Sequence, residues 1–252
     1  MSETTVSVKP KKPITVLLSC ILLLLTVLLY LIYIFSPLPC FSYGVLTNEL
    51  KDSELYGDMQ SGKSFCFVGD SITCGSEAYG TPWYRHLEKH ITGDVSNFSH
   101  GGWTSKVLVR YEDNIPEADI YVIAIGINDV LFFDKSYSAH DAEEYILVLE
   151  ELTDYLEQRS PGAKFYYINP WPAFDFPEEV NTRFDEYIDA LKGWCSDNGK
   201  ICIDPRPYII EVVEAEGQER YMFNTFHPNK RRGVGLYAYA VMQAEHQRSG
   251  TN

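Results

Sequence analysis

The sequence predicts an α/β protein: a three-layer α/β/α sandwich around a parallel sheet of about five strands, preceded by one transmembrane helix. Three observations carry this. A long uncharged apolar run stands near the N-terminus, and beyond it short apolar runs alternate with longer amphipathic stretches. The chain has 252 residues, 45% hydrophobic and 22% charged, which leaves enough of it for one ordinary core beyond the apolar run. The same composition excludes disorder, a collagen-like repeat and a disulfide mini-scaffold.

No charged residue occurs between Pro13 and Asn48, and Ile14 to Phe35 reads ITVLLSCILLLLTVLLYLIYIF. At ~1.5 Å per residue this run makes a helix of ~33 Å, matching the ~30 Å hydrocarbon core of a bilayer. Tyr30 and Tyr33 fall towards its far end, where aromatic rings favour the interface. Glu3 against Lys9, Lys11 and Lys12 makes residues 1–13 a +2 tip, which the positive-inside rule keeps in the cytoplasm while the rest is exported. No small-x-small cleavage site follows, and Pro37-Leu38-Pro39-Cys40 puts a proline before a would-be lipidated cysteine, so residues 14–35 read as a retained anchor rather than a signal peptide. The whole chain has 21 Lys and Arg against 35 Asp and Glu, a net −14, and beyond the span 18 basic and 34 acidic residues leave −16. Such a domain does not hold nucleic acid by neutralising phosphates. It is also repelled by anionic headgroups, so the helix rather than the surface must keep it at the membrane.

Residues 36–63 lack periodicity and read as a tether, with the folded domain expected over 64–252. Ser64–Val68, Val95–Phe98, Ile120–Ile125, Lys164–Ile168 and Lys200–Ile203 are short apolar runs of buried-strand type. Between and after them Pro82–Ile91, Lys106–Asn114, Ala139–Arg159, Glu178–Asp197 and Arg232–Gln247 read as helices. The third has the clearest start, with Ser138 and Asp141 in capping-box spacing, and it ends before Ser160-Pro161-Gly162. Strands alternating with helices imply a parallel sheet whose ligands sit beyond the carboxyl ends of the strands.

One string misleads. Gly57 to Ser64 matches the phosphate-loop pattern G-x-x-x-x-G-K-[ST], but it follows a polar stretch and runs into a strand, whereas a phosphate loop leaves a strand and opens a helix. Four other segments fall where the sheet predicts function. Gly69-Asp70-Ser71-Ile72-Thr73 follows the first strand; Asn97-Phe98-Ser99-His100-Gly101-Gly102-Trp103-Thr104-Ser105 contains the end of the second; Gly126-Ile127-Asn128-Asp129 follows the third; Phe226-His227-Pro228-Asn229 precedes the last helix.

In this order the four segments resemble the serine, glycine, asparagine and histidine blocks of the SGNH family of GDSL-type esterases and acylhydrolases, over residues 64 to about 245. The resemblance implies the flavodoxin-like SGNH hydrolase fold and a serine hydrolase without cofactor or metal. By it Ser71 is the nucleophile and His227 the base that takes its proton and returns it to the leaving alcohol. The backbone N–H groups of Ser71 and Gly102 and the side-chain amide of Asn128 form the oxyanion hole. Position 73 is Thr, so the G-x-S-x-G elbow of the separate α/β-hydrolase fold is absent. One position departs from the pattern: the family's aspartate three residues before the histidine is Asn224 here. Three accounts compete: a Ser-His dyad oriented by Asn224 or a backbone carbonyl, which we favour; another carboxylate such as Asp204; or an impaired site.

Other candidates are weaker. His86 and His90 stand four apart on a predicted helix without a third metal ligand, and read as a solvated face. Lys230, Arg231 and Arg232 read as a solvated helix start, with attraction of an anionic substrate as the alternative. Asn97-Phe98-Ser99 is a glycosylation sequon inside the glycine block, where a glycan would obstruct the site. Trp171, Phe174 and Phe176 suit equally a cleft wall or the core. Of Cys20, Cys40, Cys66, Cys74, Cys195 and Cys202, the last two alone are placed to pair after export. The expected function is a membrane-anchored, extracytoplasmic serine esterase that removes a small acyl group, acetyl foremost, from a surface carbohydrate. The alternatives are a lipid esterase, an O-acyltransferase to a glycan served by a separate multi-span acyl-donor partner, and a non-catalytic glycan-binding domain.

Overall fold

The computed structural model describes residues 12–35 and 49–250. Two compact units divide the chain, Met1–Ser36 and Pro37–Asn252. In the first, helix α1 (Lys12–Phe35) has 24 residues, and the segment Thr15–Ile32 is long and apolar enough to cross a membrane. Its side chains from Val16 to Ile32 are exposed.

The second unit is a parallel sheet between helices. Its strands are β1 (Phe65–Gly69), β2 (Val95–Ser99), β3 (Ile120–Ala124), β4 (Lys164–Ile168) and β5 (Ile201–Ile203), in the order β2-β1-β3-β4-β5. Every neighbouring pair is parallel, with Phe65 aligned to Val95 on one side and Ile120 on the other. β1 and β3 are buried at every position, which is why they read as unbroken apolar runs; the edge strand β2 is only half-buried. The strand order reverses between β1 and β3, and the crevice such a reversal opens lies at their carboxyl ends.

The helices are α2 (Glu54–Met59), α3 (Ser71–Cys74), α4 (Arg85–Glu88), α5 (Ser105–Val109), α6 (Ile127–Leu131), α7 (Ala142–Arg159), α8 (Glu178–Asp197), α9 (Arg206–Glu216), α10 (Gln218–Tyr221) and α11 (Gly233–Gly250). The expected tether 36–63 is too long. Residues 36–48 lie outside the described residues, but a 3-10 turn at Glu49–Asp52 and α2 belong to the domain, with Leu50, Leu55 and Met59 buried in its core. Glu54 and Asp58 fasten that segment through ion pairs to Lys164 at 2.7 and 2.5 Å, and Glu54 also meets Arg248 at 2.6 Å.

Other boundaries move for local reasons. α7 starts at an Asp141 cap, whose side chain accepts from the Glu144 N–H, so Asp141 rather than Ser138 is the capping residue. The expected helix Pro82–Ile91 shrinks to the single turn α4, and Lys106–Asn114 becomes α5 and a 3-10 turn at Glu112–Asn114.

Candidate active site

Ser71 is the first residue of α3, directly beyond β1. Asp70 caps that helix, its Oδ1 accepting the Ile72 N–H at 3.0 Å, and both Asp70 and Ser71 are buried. Gly69 has a specific reason to be glycine: a Cβ there would lie 2.3 Å from the Ala124 carbonyl oxygen and 2.5 Å from Thr73 Oγ1. Close packing of β1 against β3, not a left-handed turn, is thus what demands it.

His227 comes from the other end of the chain. Its loop is pinched by a bridge between Met222 and Pro228 and by the Phe223 N–H donating to the His227 carbonyl at 2.8 Å. The imidazole is buried and its Nε2 lies 2.7 Å from Ser71 Oγ. Burial lowers the pKa of His227, and the charge of Glu77 opposes that shift. Lowering favours the neutral base.

Gly102 adopts a left-handed φ of +78, at a turn that a β-carbon would strain, and its N–H has no intramolecular partner among the described residues. Asn128, in the first turn of α6 and buried, donates through Nδ2 to the Trp103 carbonyl at 2.8 Å, which leaves the second Nδ2 hydrogen for an oxyanion. Ser71 and His227 are thus brought into contact, while Gly102 and Asn128 follow the carboxyl ends of β2 and β3, the strands on either side of β1.

Asn224 holds His227 in an unexpected way. Its Oδ1 accepts the backbone N–H groups of Phe226 at 3.1 Å and His227 at 2.8 Å. That pair fixes the amide: Oδ1 is 3.2 Å and Nδ2 3.0 Å from the imidazole Nδ1. Both an acceptor and a donor of Asn224 thus lie within hydrogen-bond distance of Nδ1, the donor slightly nearer. The alternative carboxylate Asp204 is engaged elsewhere, accepting from Lys192 Nζ at 2.6 Å and the Arg206 N–H at 3.3 Å.

Sequence reasoning passed over the groups behind the site. Asp129 is buried and accepts the Ser105 N–H at 2.9 Å, the Ser105 hydroxyl at 2.8 Å and the Ala139 N–H at 3.0 Å, tying the glycine block to the asparagine block. Burial raises the pKa of Asp70 to about 7, helped by the nearby Asp129 charge, and that of Asp129 to about 6. Asp129 was visible in the Gly126–Asp129 string, but its role depends on partners 24 and 10 residues away.

Several weaker expectations change. His86 is buried rather than solvated, which pushes its pKa down to about 4, and Lys230 is buried too. Trp171 is a core residue, packed against Tyr237 and Trp83, while Phe174 and Phe176 are half-buried. Asn97 donates to the Thr73 carbonyl at 3.1 Å, a bond that a glycan on that amide would disturb. Cys195 and Cys202 are free thiols placed close enough for Cys202, together with burial, to raise the pKa of Cys195.

Residues 67–231 match the GDSL-like Lipase/Acylhydrolase family model. The chain belongs to this family. As a GDSL-like acylhydrolase it is a serine hydrolase of the SGNH type, and its fold recurs among solved structures. A GDSL-like lipase from Parabacteroides merdae superposes with TM-score 0.63 at 18% identity, covering 74% of this chain and 97% of that one. A lipolytic G-D-S-L family member from Veillonella parvula gives 0.59 at 17%, covering 71% and 96%. The acetylxylan esterase Axe2 from Geobacillus stearothermophilus gives 0.61 at 20%, covering 74% and 95%. No curated protein sequence matches the chain.

Two surface features distinguish this GDSL-like domain. Seven large hydrophobic side chains are exposed among described residues 49–250, and six are aromatic: Tyr79, Tyr111, Phe132, Phe133, Tyr137 and Phe223. All six lie on segments that follow β1, β2 or β3 or on the His227 loop, whereas the seventh, Leu147, is on α7. Trp103, whose carbonyl orients Asn128, stacks on His100 at 5.4 Å and on Tyr111 at 5.5 Å between ring centres. The crevice at Ser71 and His227 is walled by Ile72, Ala78 and Thr81.

Proposed function

We propose that this protein is a membrane-anchored, extracytoplasmic esterase that removes acetyl groups from an O-acetylated surface carbohydrate. The observation that carries the reading is the 2.7 Å contact between Ser71 Oγ and His227 Nε2. As Ser71 Oγ attacks the ester carbonyl, its proton passes to His227 Nε2 and the carbonyl oxygen becomes an oxyanion facing the N–H groups of Ser71 and Gly102 and the Asn128 amide. Collapse of the tetrahedral species expels the sugar alcohol, which takes the proton from His227. Water then enters by the same route, with His227 as base, and acetate leaves.

The close approach of Ile72, Ala78 and Thr81 to Ser71 and His227 supports a small acyl group. The exposed aromatic side chains on the segments that follow β1, β2 and β3 and on the His227 loop support a carbohydrate, because flat ring faces match the C–H faces of sugar rings, and the acetylxylan esterase of like fold fits the same substrate class. Helix α1 supports anchoring, and the +2 tip supports a domain outside the cytoplasm. A second reading, a glycan-binding domain without turnover, is favoured by one observation, the Asn224 Nδ2 beside His227 Nδ1.

The full chain in detergent micelles, given p-nitrophenyl acetate, butyrate and octanoate beside its Ser71→Ala variant, separates these readings. Serine-dependent turnover that falls with chain length and extends to acetylated oligosaccharides is expected. Turnover equal in the variant overturns the esterase reading, and preference for octanoate overturns the acetyl assignment.

A further inference from the structure

Proton transfer from Ser71 makes His227 an imidazolium, and nothing on its own loop carries a negative charge to meet it. Asn224 is neutral, and its oxygen already accepts from two backbone N–H groups. Across the crevice stands Glu77, which shares the lining with Ser71, Thr81 and His227. It is placed there by a tight knot after α3. Gly75 is left-handed at φ +76, and a Cβ on it would come within 2.4 Å of the Thr81 carbonyl carbon. Ala78 and Gly80 both donate to the Gly75 carbonyl, at 3.0 and 2.9 Å.

Glu77 is half-buried, and its carboxylate has no hydrogen-bond or ion-pair partner among the described residues. The other groups around His227 do not supply its charge. Ser71 on α3 is neutral, Asn224 is neutral, and Asp70 beneath α3 turns its Oδ1 to the Ile72 N–H.

We propose that Glu77 is the counter-charge of His227, a positioning carboxylate that stabilises the imidazolium in place of the charge Asn224 lacks. This rests on the esterase reading of the site. Glu77 takes no part in the proton transfer: the Ser71 hydrogen moves to Nε2 as the Oγ–carbon bond forms, and the Glu77 side chain shares the crevice with the new positive charge. Its field already raises the proton affinity of His227 against the opposing effect of burial. Sequence alone gave no hint of it, because positions 77 and 227 meet only through the fold.

The test is a two-by-two comparison of Glu77→Gln and Asn224→Asp in the full chain in detergent, reading kcat/KM for p-nitrophenyl acetate across the pH range. Glu77→Gln is expected to lower kcat/KM at alkaline pH by ~10-fold and to move the acid limb to lower pH, since a lost negative neighbour lowers the imidazole pKa. In the Asn224→Asp background the same change should cost only ~2-fold, because a carboxylate is then already present. An unmoved acid limb, or equal losses in both backgrounds, overturns the proposal. A parallel NMR titration of His227 in Ser71→Ala, with and without Glu77→Gln, needs no turnover. A lower midpoint on losing Glu77 supports the proposal and an unchanged one overturns it, even if serine-dependent hydrolysis fails and takes the esterase reading with it.

Discussion

The serine half and the histidine half of the site are built on different principles. Ser71, Gly102 and Asn128 stand at the ends of the central strands, and behind them lie Asp70 and Asp129, both wholly buried. These carboxyls bind backbone N–H groups from three segments and serve as anchors. His227 is carried by a short loop at the edge, whose Asn224 is exposed and neutral. Carboxyl groups thus stand where they fix geometry, and none stands on the loop where an imidazolium would use its charge. A half held by buried hydrogen bonds tolerates little change; a half held by one exposed turn can be retuned by a single residue.

The comparison can be broken at its strongest point first. Ser71→Ala removes the proposed nucleophile and should abolish ester turnover by at least ~10³-fold, read from initial rates, while the melting temperature stays within a few degrees. Asn128→Ala deletes one oxyanion donor and should lower kcat by ~10²- to 10³-fold with little change in KM. If it raises only KM, Asn128 serves ground-state binding.

Asp129→Ala strands three donors, the Ser105 N–H and hydroxyl and the Ala139 N–H, in a dry interior. Chemical denaturation should show a loss of ~2–4 kcal/mol. A loss near zero would mean that the serine half is not anchored as described.

The Asp70 carboxyl has a raised folded-state pKa, about 7 against 3.8. A raised carboxyl binds its proton more tightly when folded, so its contribution to stability is complete below the unfolded value and is lost as pH rises through about 7. Asp70→Asn keeps the cap and removes the titration, so it should flatten the fall of stability between pH 5 and pH 8 by roughly 1–3 kcal/mol. Denaturation midpoints of both proteins at those two values decide it.

The smallest expected change sharpens the histidine half. In Asn224→Asp the two backbone N–H bonds to Oδ1 are kept, and Oδ2 takes the place of Nδ2 at 3.0 Å from the imidazole Nδ1. The variant should raise kcat/KM by ~10-fold at alkaline pH and move the acid limb upward, since a carboxylate raises the imidazole pKa. No gain would show that the tautomer is set by something other than this amide.

Much of the fold was legible because burial writes itself into composition. β1 and β3 are buried on both faces and so appear as apolar runs, and α7 and α8 are long enough for helical periodicity to emerge. Helices of four or five residues, such as α3 and α6, are too short for any period, and α9 was hidden by prolines at 205 and 207 that in fact start it. Leu50, Leu55 and Met59 are too sparse to announce α2, yet each is buried once α11 packs against it.

By itself the sequence determined the apolar N-terminal helix, the alternation that makes a parallel sheet, and the four segments that meet at its carboxyl edge. These follow from local composition and from the period of the backbone, which every residue carries with it. Only the tertiary structure decided what Asp129 ties together and that Glu77 lies beside His227. Those are relations between segments 10 to about 150 residues apart, set by where loops land when the core closes, and no local pattern encodes a distance across a crevice.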